Sequence, residues 1–528
     1  MVRQRRPQLL PATDLQARRR EALIRRPLPA GLIALAVALL AIAPASAEDL
    51  LIENASVVDG TGTKPVTADV RIRGDRIVAI GALDAEAGET VVDARGLTLA
   101  PGFIDTHSHH ASGLAENPDA SVVVSQGITT IVAGQDGGSV VPLSGFFKAL
   151  GDKPAAINVA SYSGHNSLRG AVLGQDFKRK ATPAEVGKMR ALLADDMAAG
   201  AIGLSTGLEY DPGIYSDKGE VLSLAREAAK HHGRYISHLR SEDRDVWAAL
   251  DELVDIGRKT GMPVQVSHAK LAMTDWWGQA DRFLSVLDKA RAEGIDATLD
   301  VYPYPYWHST LTVLWPERNF GDRPTAEFIL KHLVPAKGLL IAGFPPEPGL
   351  AGKTVAVIAA QRGTDEVSTL MALVDEIERA KSGANVIATS MDERDIAKFV
   401  AWPHANISSD GAIGGRHPRG AGAFTRALRI YVRETGLLTI EQAIHKMTAL
   451  SAAHMGLKDR GVIRAGAFAD LVLFDPATVT DRATTDDPTA LSQGIARVWV
   501  NGALVFNGGK STGAHPGRVL RREGTIAR

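Results

Sequence analysis

Between residues 102 and 410 the chain alternates, with short strand-like apolar runs at 102–109, 127–133, 155–161, 201–206, 234–239, 263–268, 295–301 and 404–410 separated by stretches of helical periodicity. A strand that returns parallel to its neighbour needs a crossover, so this alternation restricts the chain to βα units around a parallel sheet. Eight such units predict a closed (β/α)8 barrel of the TIM type. The helix at 183–199 carries its own end signals, Pro183 near the start and Gly200 after the end, and a second is read at 218–232. In a barrel of this kind chemistry collects at the C-terminal ends of the strands.

The two chain ends read differently. Residues 50–59, 68–80 and 90–93 are β-rich runs broken at Gly60, Gly62, Gly74 and Gly81, and the pattern returns at 466–475 and 497–506. This predicts a small β-sandwich built from both ends, 48–100 and 456–528. The barrel then takes residues 101–310 for strands one to seven and 401–455 for strand eight and the last helix. The interval 311–400 is too long for an ordinary loop and reads as an inserted lobe.

Residues 1–47 read as an address. Eight arginines stand there against Asp14 and Glu21, a balance of +6. An apolar run from Gly31 to Ala43 and the small-x-small pattern Ala45-Ser46-Ala47 follow, as in a signal peptide with a mature start near Glu48. Arg25-Arg26 resembles a twin-arginine signal, imperfectly because Pro27-Leu28 follows. The expectation is an exported protein, periplasmic or secreted, with no stable membrane insertion after cleavage. The formal net charge is −1, so the remainder is near −7, which argues against a nucleic-acid partner.

The chain has no cysteine, so any metal must be held by His, Asp, Glu or a modified Lys. Strand ends supply such residues: His107-Ser-His109 after strand one, Ser237-His238-Leu-Arg-Ser-Glu242 after strand five, Ser267-His268-Ala-Lys270 after strand six, and Ser408-Ser409-Asp410-Gly411 after strand eight. Successive side chains of an extended strand alternate, so His107 and His109 project to one side. Four imidazoles with one or two carboxylates suit one or two zinc-like ions, Zn2+ or another divalent metal, with a position open for water. Asp410 is the carboxylate placed to take and return a proton.

Taken together, Ala100-Pro-Gly-Phe-Ile-Asp-Thr-His-Ser-His109, Gly127-Ile-Thr-Thr130, Gly203-Leu-Ser-Thr-Gly-Leu208, Ser237-His238, Ser267-His268-Ala-Lys270, Asp300-Val-Tyr-Pro-Tyr304, Ser409-Asp410-Gly411 and His417-Pro-Arg419 resemble the N-acyl-D-amino-acid deacylase (D-aminoacylase) family of the amidohydrolase superfamily. The resemblance implies a metal-bearing barrel and hydrolysis of an N-acyl amide. It places His107, His109, His238 and His268 as metal ligands and Asp410 as the catalytic acid/base. It also places Tyr210, Lys270, Tyr302 and Arg419 around the carboxylate and scissile amide of a small-molecule substrate. His165, in Ser163-Gly164-His165-Asn166, is a weaker site candidate.

One departure stands out. Where that family carries a metal-bridging cysteine in a Gly-Asn-Cys-Gly turn, this chain has Gly134-Gln135-Asp136-Gly137. Asp136 is either a carboxylate ligand in the cysteine's place or a turn residue beside a single metal. The free-carboxylate reading favours N-acyl amino acids over a cyclic amidase, a dihydroorotase-like hydrolase or an aminoacyl dipeptidase. Oligomeric state is not legible in the sequence.

Overall fold

The computed structural model describes residues 49–522. The address segment lies outside the described residues. Among the described residues no helix is long and apolar enough to cross a membrane.

Eight barrel strands run Phe103–Asp105, Ile128–Ala133, Asn158–Ser161, Gly203–Gly207, Arg234–His238, Val264–Val266, Ala297–Val301 and Ala405–Ile407. The first three pair in parallel, and so do the last five. Strand three breaks at Tyr162 and resumes at Ser163–Gly164, where it pairs with strand four. Strands eight and one meet through backbone bonds from Asp410 N–H to the His107 carbonyl (2.9 Å) and from His109 N–H to the Gly411 carbonyl (2.8 Å). The buried carboxylate of Asp105 reinforces this seam by accepting the Ser409 N–H at 2.9 Å. Strand residues are buried on both faces, as parallel strands sheathed by helices must be.

The helix Pro183–Ala199 forms as its end signals require. Thr182 and Glu185 cap each other reciprocally, and Gly200 ends the helix in a left-handed conformation. The next helix, Lys218–Lys230, is capped by Asp217 and ends two residues short of the span read from the sequence.

Both chain ends share one nine-stranded sheet, joined where Thr98–Pro101 pairs antiparallel with Leu471–Phe474. A bulge near Asn54 (φ 59°) bends the strand Leu50–Val57, so its first half pairs with Thr90–Asp93 and its second half with Thr98–Pro101. Ile52, Val70, Ile72, Leu99, Leu471 and Trp499 form this domain's core.

The insertion has its own antiparallel sheet, Tyr306–Thr310 beside Asn385–Thr389 beside Leu339–Gly343, and its own core around Trp315, Ile341 and Leu373. The lobe therefore starts ahead of residue 311, because Tyr306–Thr310 pairs with the lobe and not with the barrel. At the other boundary, the helix Glu393–Ala401 packs Phe399 on Phe283 of the barrel helix Ala280–Ala292 (ring centroids 5.2 Å).

Candidate metal centre and active site

His107 and His109 lie just past strand one, Asp136 past strand two, His238 at the end of strand five, His268 past strand six and Asp410 past strand eight. Three of the six hold a backbone that side chains rarely adopt: φ is 53° at Asp136, 34° at His268 and 50° at Asp410. Such positions cost about 1–3 kcal/mol each and persist where the surroundings over-determine them. Here the surroundings are the barrel rim, and all three side chains line the same cavity there.

The six side chains converge. His107 Nε2 stands 3.4 Å and His268 Nε2 3.3 Å from Asp136 Oδ1, while His109 Nε2 stands 3.2 Å from Asp136 Oδ2. Asp410 Oδ1 is 3.6 Å from His107 Nε2 and 3.2 Å from His109 Nε2. His238 Nδ1 faces His268 Nε2 at 3.0 Å. These six form two ligand groups, His107, His109, Asp136 and Asp410 in one and Asp136, His238 and His268 in the other, each with donor atoms within 4.8 Å of one another, and a third group, Glu209, His238 and Glu242, adjoins them. Asp136 belongs to both of the first two.

Charge and hydrogen bonding test whether a divalent ion fits. Both ring nitrogens of His107 and Oδ1 of Asp136 are buried without a hydrogen-bond partner, a costly arrangement in a protein interior. Burial opposes the Asp136 carboxylate, but His107 and His268 outweigh it and hold its carboxyl well below the usual range. Burial likewise opposes the Asp410 carboxylate, and the Arg419 guanidinium, 2.7 Å away, does most to hold it low. Anionic oxygens and imidazole nitrogens with no thiolate are a donor set for zinc or a similar ion. The residues fit one or two such ions.

Above them opens a cavity of about 400 Å³, walled by the barrel rim and by Trp307, His308 and Leu333 of the lobe. The four residues expected around a substrate all line it. Tyr210 lies over His238, ring centroids 4.3 Å apart. The buried Tyr302 hydroxyl has no partner, and burial pushes it up to about 12, so it stays protonated as a hydrogen-bond donor. The two cations are not free: Lys270 Nζ binds Glu242 at 2.7 Å and stands 2.6 Å from His268 Nδ1, and Arg419 binds Asp410. Arg419 keeps its buried Nε without a partner. His165 is not brought to the cavity. It is buried against Glu220 at 2.8 Å, beside Arg169, in an ion cluster beneath the rim.

Three carboxylates stand behind the histidines; the sequence placed Glu242 at the strand-five end and Asp300 within a shared motif without giving either a role, and it did not point to Glu209. Asp300 Oδ1 faces His107 Nδ1 at 3.4 Å and accepts the His268 N–H at 2.8 Å. Glu242 Oε1 faces His268 Nδ1 at 3.1 Å. Glu209 Oε2 faces His238 Nε2 at 2.9 Å. For Asp300 a signal existed, since a charge inside Thr298-Leu-Asp-Val301 of a strand buried on both faces needs a polar partner. Glu209, in a loop, gave none.

A family model described as Amidohydrolase family matches residues 90–309 and 349–506. The chain is 41% identical over 504 residues to the N-acyl-D-glutamate deacylase of Alcaligenes xylosoxydans xylosoxydans, covering 91% of this chain and 98% of that protein. It is 38% identical over 499 residues to the D-aminoacylase of the same organism, covering 90% and 98%. Among solved structures, the N-acyl-D-glutamate deacylase from Bordetella bronchiseptica, complexed with zinc and a phosphonate mimic of the tetrahedral intermediate, superposes with a TM-score of 0.81 at 38% identity, covering 90% of this chain and 99% of that one.

Proposed function

We infer, from the fact that this chain belongs to the amidohydrolase family, that it hydrolyses the amide of N-acyl amino acids, of the D series, using zinc held by His107, His109, Asp136, His238 and His268. The observation that carries the reading is the convergence of four imidazoles and two aspartates beneath one cavity. Its relatives' names, N-acyl-D-glutamate deacylase and D-aminoacylase, support the substrate class.

Zinc, when bound, would supply Lewis acidity and make water acidic enough to attack near neutral pH. Asp410 Oδ1, facing the open side of His107 and His109, takes the proton of the attacking water and returns it to the leaving amide nitrogen. Arg419 holds the other oxygen of Asp410 and so orients the acceptor. The Arg419 side chain also lines the cavity, where its guanidinium is the cation placed to attract the substrate carboxylate. The protonated Tyr302 hydroxyl donates to the carbonyl oxygen as negative charge builds there. Trp307, Val313, Leu314 and Leu333 of the lobe give the cavity an apolar wall suited to an acyl group. The composition of residues 1–47 supports export of the enzyme.

The test is hydrolysis of paired N-acetyl-D- and N-acetyl-L-amino acids by zinc-loaded protein, with Asp410→Asn alongside. D-selective release of the free amino acid, lost in Asp410→Asn, is expected. Zinc-loaded wild type that leaves both series intact while opening hydantoin-like rings or cleaving dipeptides would overturn the assignment.

A further inference from the structure

His238 Nδ1 points to His268 Nε2 (3.0 Å) and the ligand group shared with Asp136, while its Nε2 points away, to Glu209 Oε2 at 2.9 Å. A neutral imidazole carries one N–H, and an ionised carboxylate only accepts. Glu209 therefore draws the proton to Nε2 and leaves the Nδ1 lone pair facing the ligand group. Among the described residues no other carboxylate is placed for this: Glu242 stands 3.7 Å from His238 Nε2, beyond hydrogen-bond distance, and is engaged with Lys270.

Glu209 is itself held. Its Oε1 accepts the Glu242 N–H at 3.1 Å. Its backbone carbonyl accepts Nη2 of Arg318 from the lobe at 3.0 Å, and the same guanidinium reaches the Asp211 carboxylate through Nε at 3.1 Å. The lobe thus reaches past the cavity it roofs and clamps the loop that carries Glu209.

We propose that Glu209 is a positioning residue, anchored by Arg318 of the inserted lobe, that fixes the tautomer and ring orientation of His238 for metal binding. This rests on the zinc reading above. Glu209 lines the cavity beside His238, and its role in that scheme is exerted through His238.

The experiment measures Zn2+ affinity of chelator-stripped full-length protein by competition with a chromophoric chelator, for wild type, Glu209→Ala and Glu209→Gln, together with the thermal midpoint of each metal-free protein. Glu209→Ala is expected to bind zinc about 10- to 100-fold more weakly with a metal-free midpoint close to wild type. Glu209→Gln, whose amide oxygen still accepts from Nε2–H, recovers part of that loss. The cobalt-substituted proteins add a spectroscopic readout, a shifted visible spectrum in Glu209→Ala that returns toward wild type in Glu209→Gln. Unchanged zinc affinity in Glu209→Ala overturns the proposal, and so does an equal loss in both variants accompanied by a lowered metal-free midpoint. A wild type that takes up no zinc fails the metal reading instead, and is told apart because no variant is needed to see it.

Discussion

Replacing Asp136 by asparagine removes one negative charge while keeping the side-chain shape and a residue type that tolerates the left-handed backbone at φ 53°. The wild-type carboxylate stands 3.2 to 3.4 Å from three imidazole nitrogens of two ligand groups. At an effective dielectric constant of about 20, a unit charge about 4 Å from another contributes about 4 kcal/mol, and a divalent ion feels more. Some of that is offset by the desolvation the carboxylate no longer undergoes, which leaves about 4 kcal/mol, or roughly a thousandfold in a dissociation constant. Zinc content per chain after passage over a chelating resin, with competition titration on the same samples, measures the effect. The expected result is a fall from two ions to one or none in Asp136→Asn. Equal zinc content and affinity in wild type and variant would refute the shared-ligand argument and make Asp136 a turn residue.

Arg419→Lys keeps the charge but loses the planar fork that holds Asp410 and leaves Nε free. A fall of about 10- to 100-fold in kcat/KM with unchanged zinc content is expected, read by steady-state kinetics. Gly137 sits at φ 74°, where a Cβ would lie 2.2 Å from Asn166 Oδ1. Gly137→Ala should therefore lose at least about 2 kcal/mol in urea denaturation, and a neutral result would mean the turn yields. His454 is lowered to about 3, first by burial and then by Arg234, from an ordinary value of 6.5. The unfolded chain takes up that proton first, so its contribution is whole above pH 6.5 and drains away as pH falls toward 3. This amounts to about 2 kcal/mol between pH 6.5 and 5. His454→Gln should flatten the stability profile over that interval, and parallel profiles would show that another group carries the loss.

What was legible in the sequence was whatever local pattern determines. Eight apolar runs placed eight strands, and Thr182, Pro183 and Gly200 marked a helix that the structure reproduces. The ligand residues converge because strand ends of one barrel share a rim. Less legible was anything set by contacts between distant segments. The lobe's first strand, Tyr306–Thr310, reads like barrel sequence until its partner Asn385–Thr389 is known. His165 has the motif context of a site residue, but the buried pair Arg169 and Glu220 claims it. Lys270 and Arg419 read as free cations for a substrate carboxylate, and each already has a carboxylate partner supplied by another strand end.

The seam between the first and eighth strands bears on how the protein comes into being. Its bonds join Asp105 to Ser409 across 304 residues, and His107 and His109 to Asp410 and Gly411. Contacts of such sequence separation close late in folding, because the loop entropy they cost must be met by structure already formed. A nascent chain that stops before Ala405 carries all four histidines and Asp136 without the strand that gathers them, so competence arrives only with the last barrel segment. In the finished molecule the amide protons of His109 and Asp410 lie in that seam, and their exchange with deuterium reads directly how often the mouth comes apart.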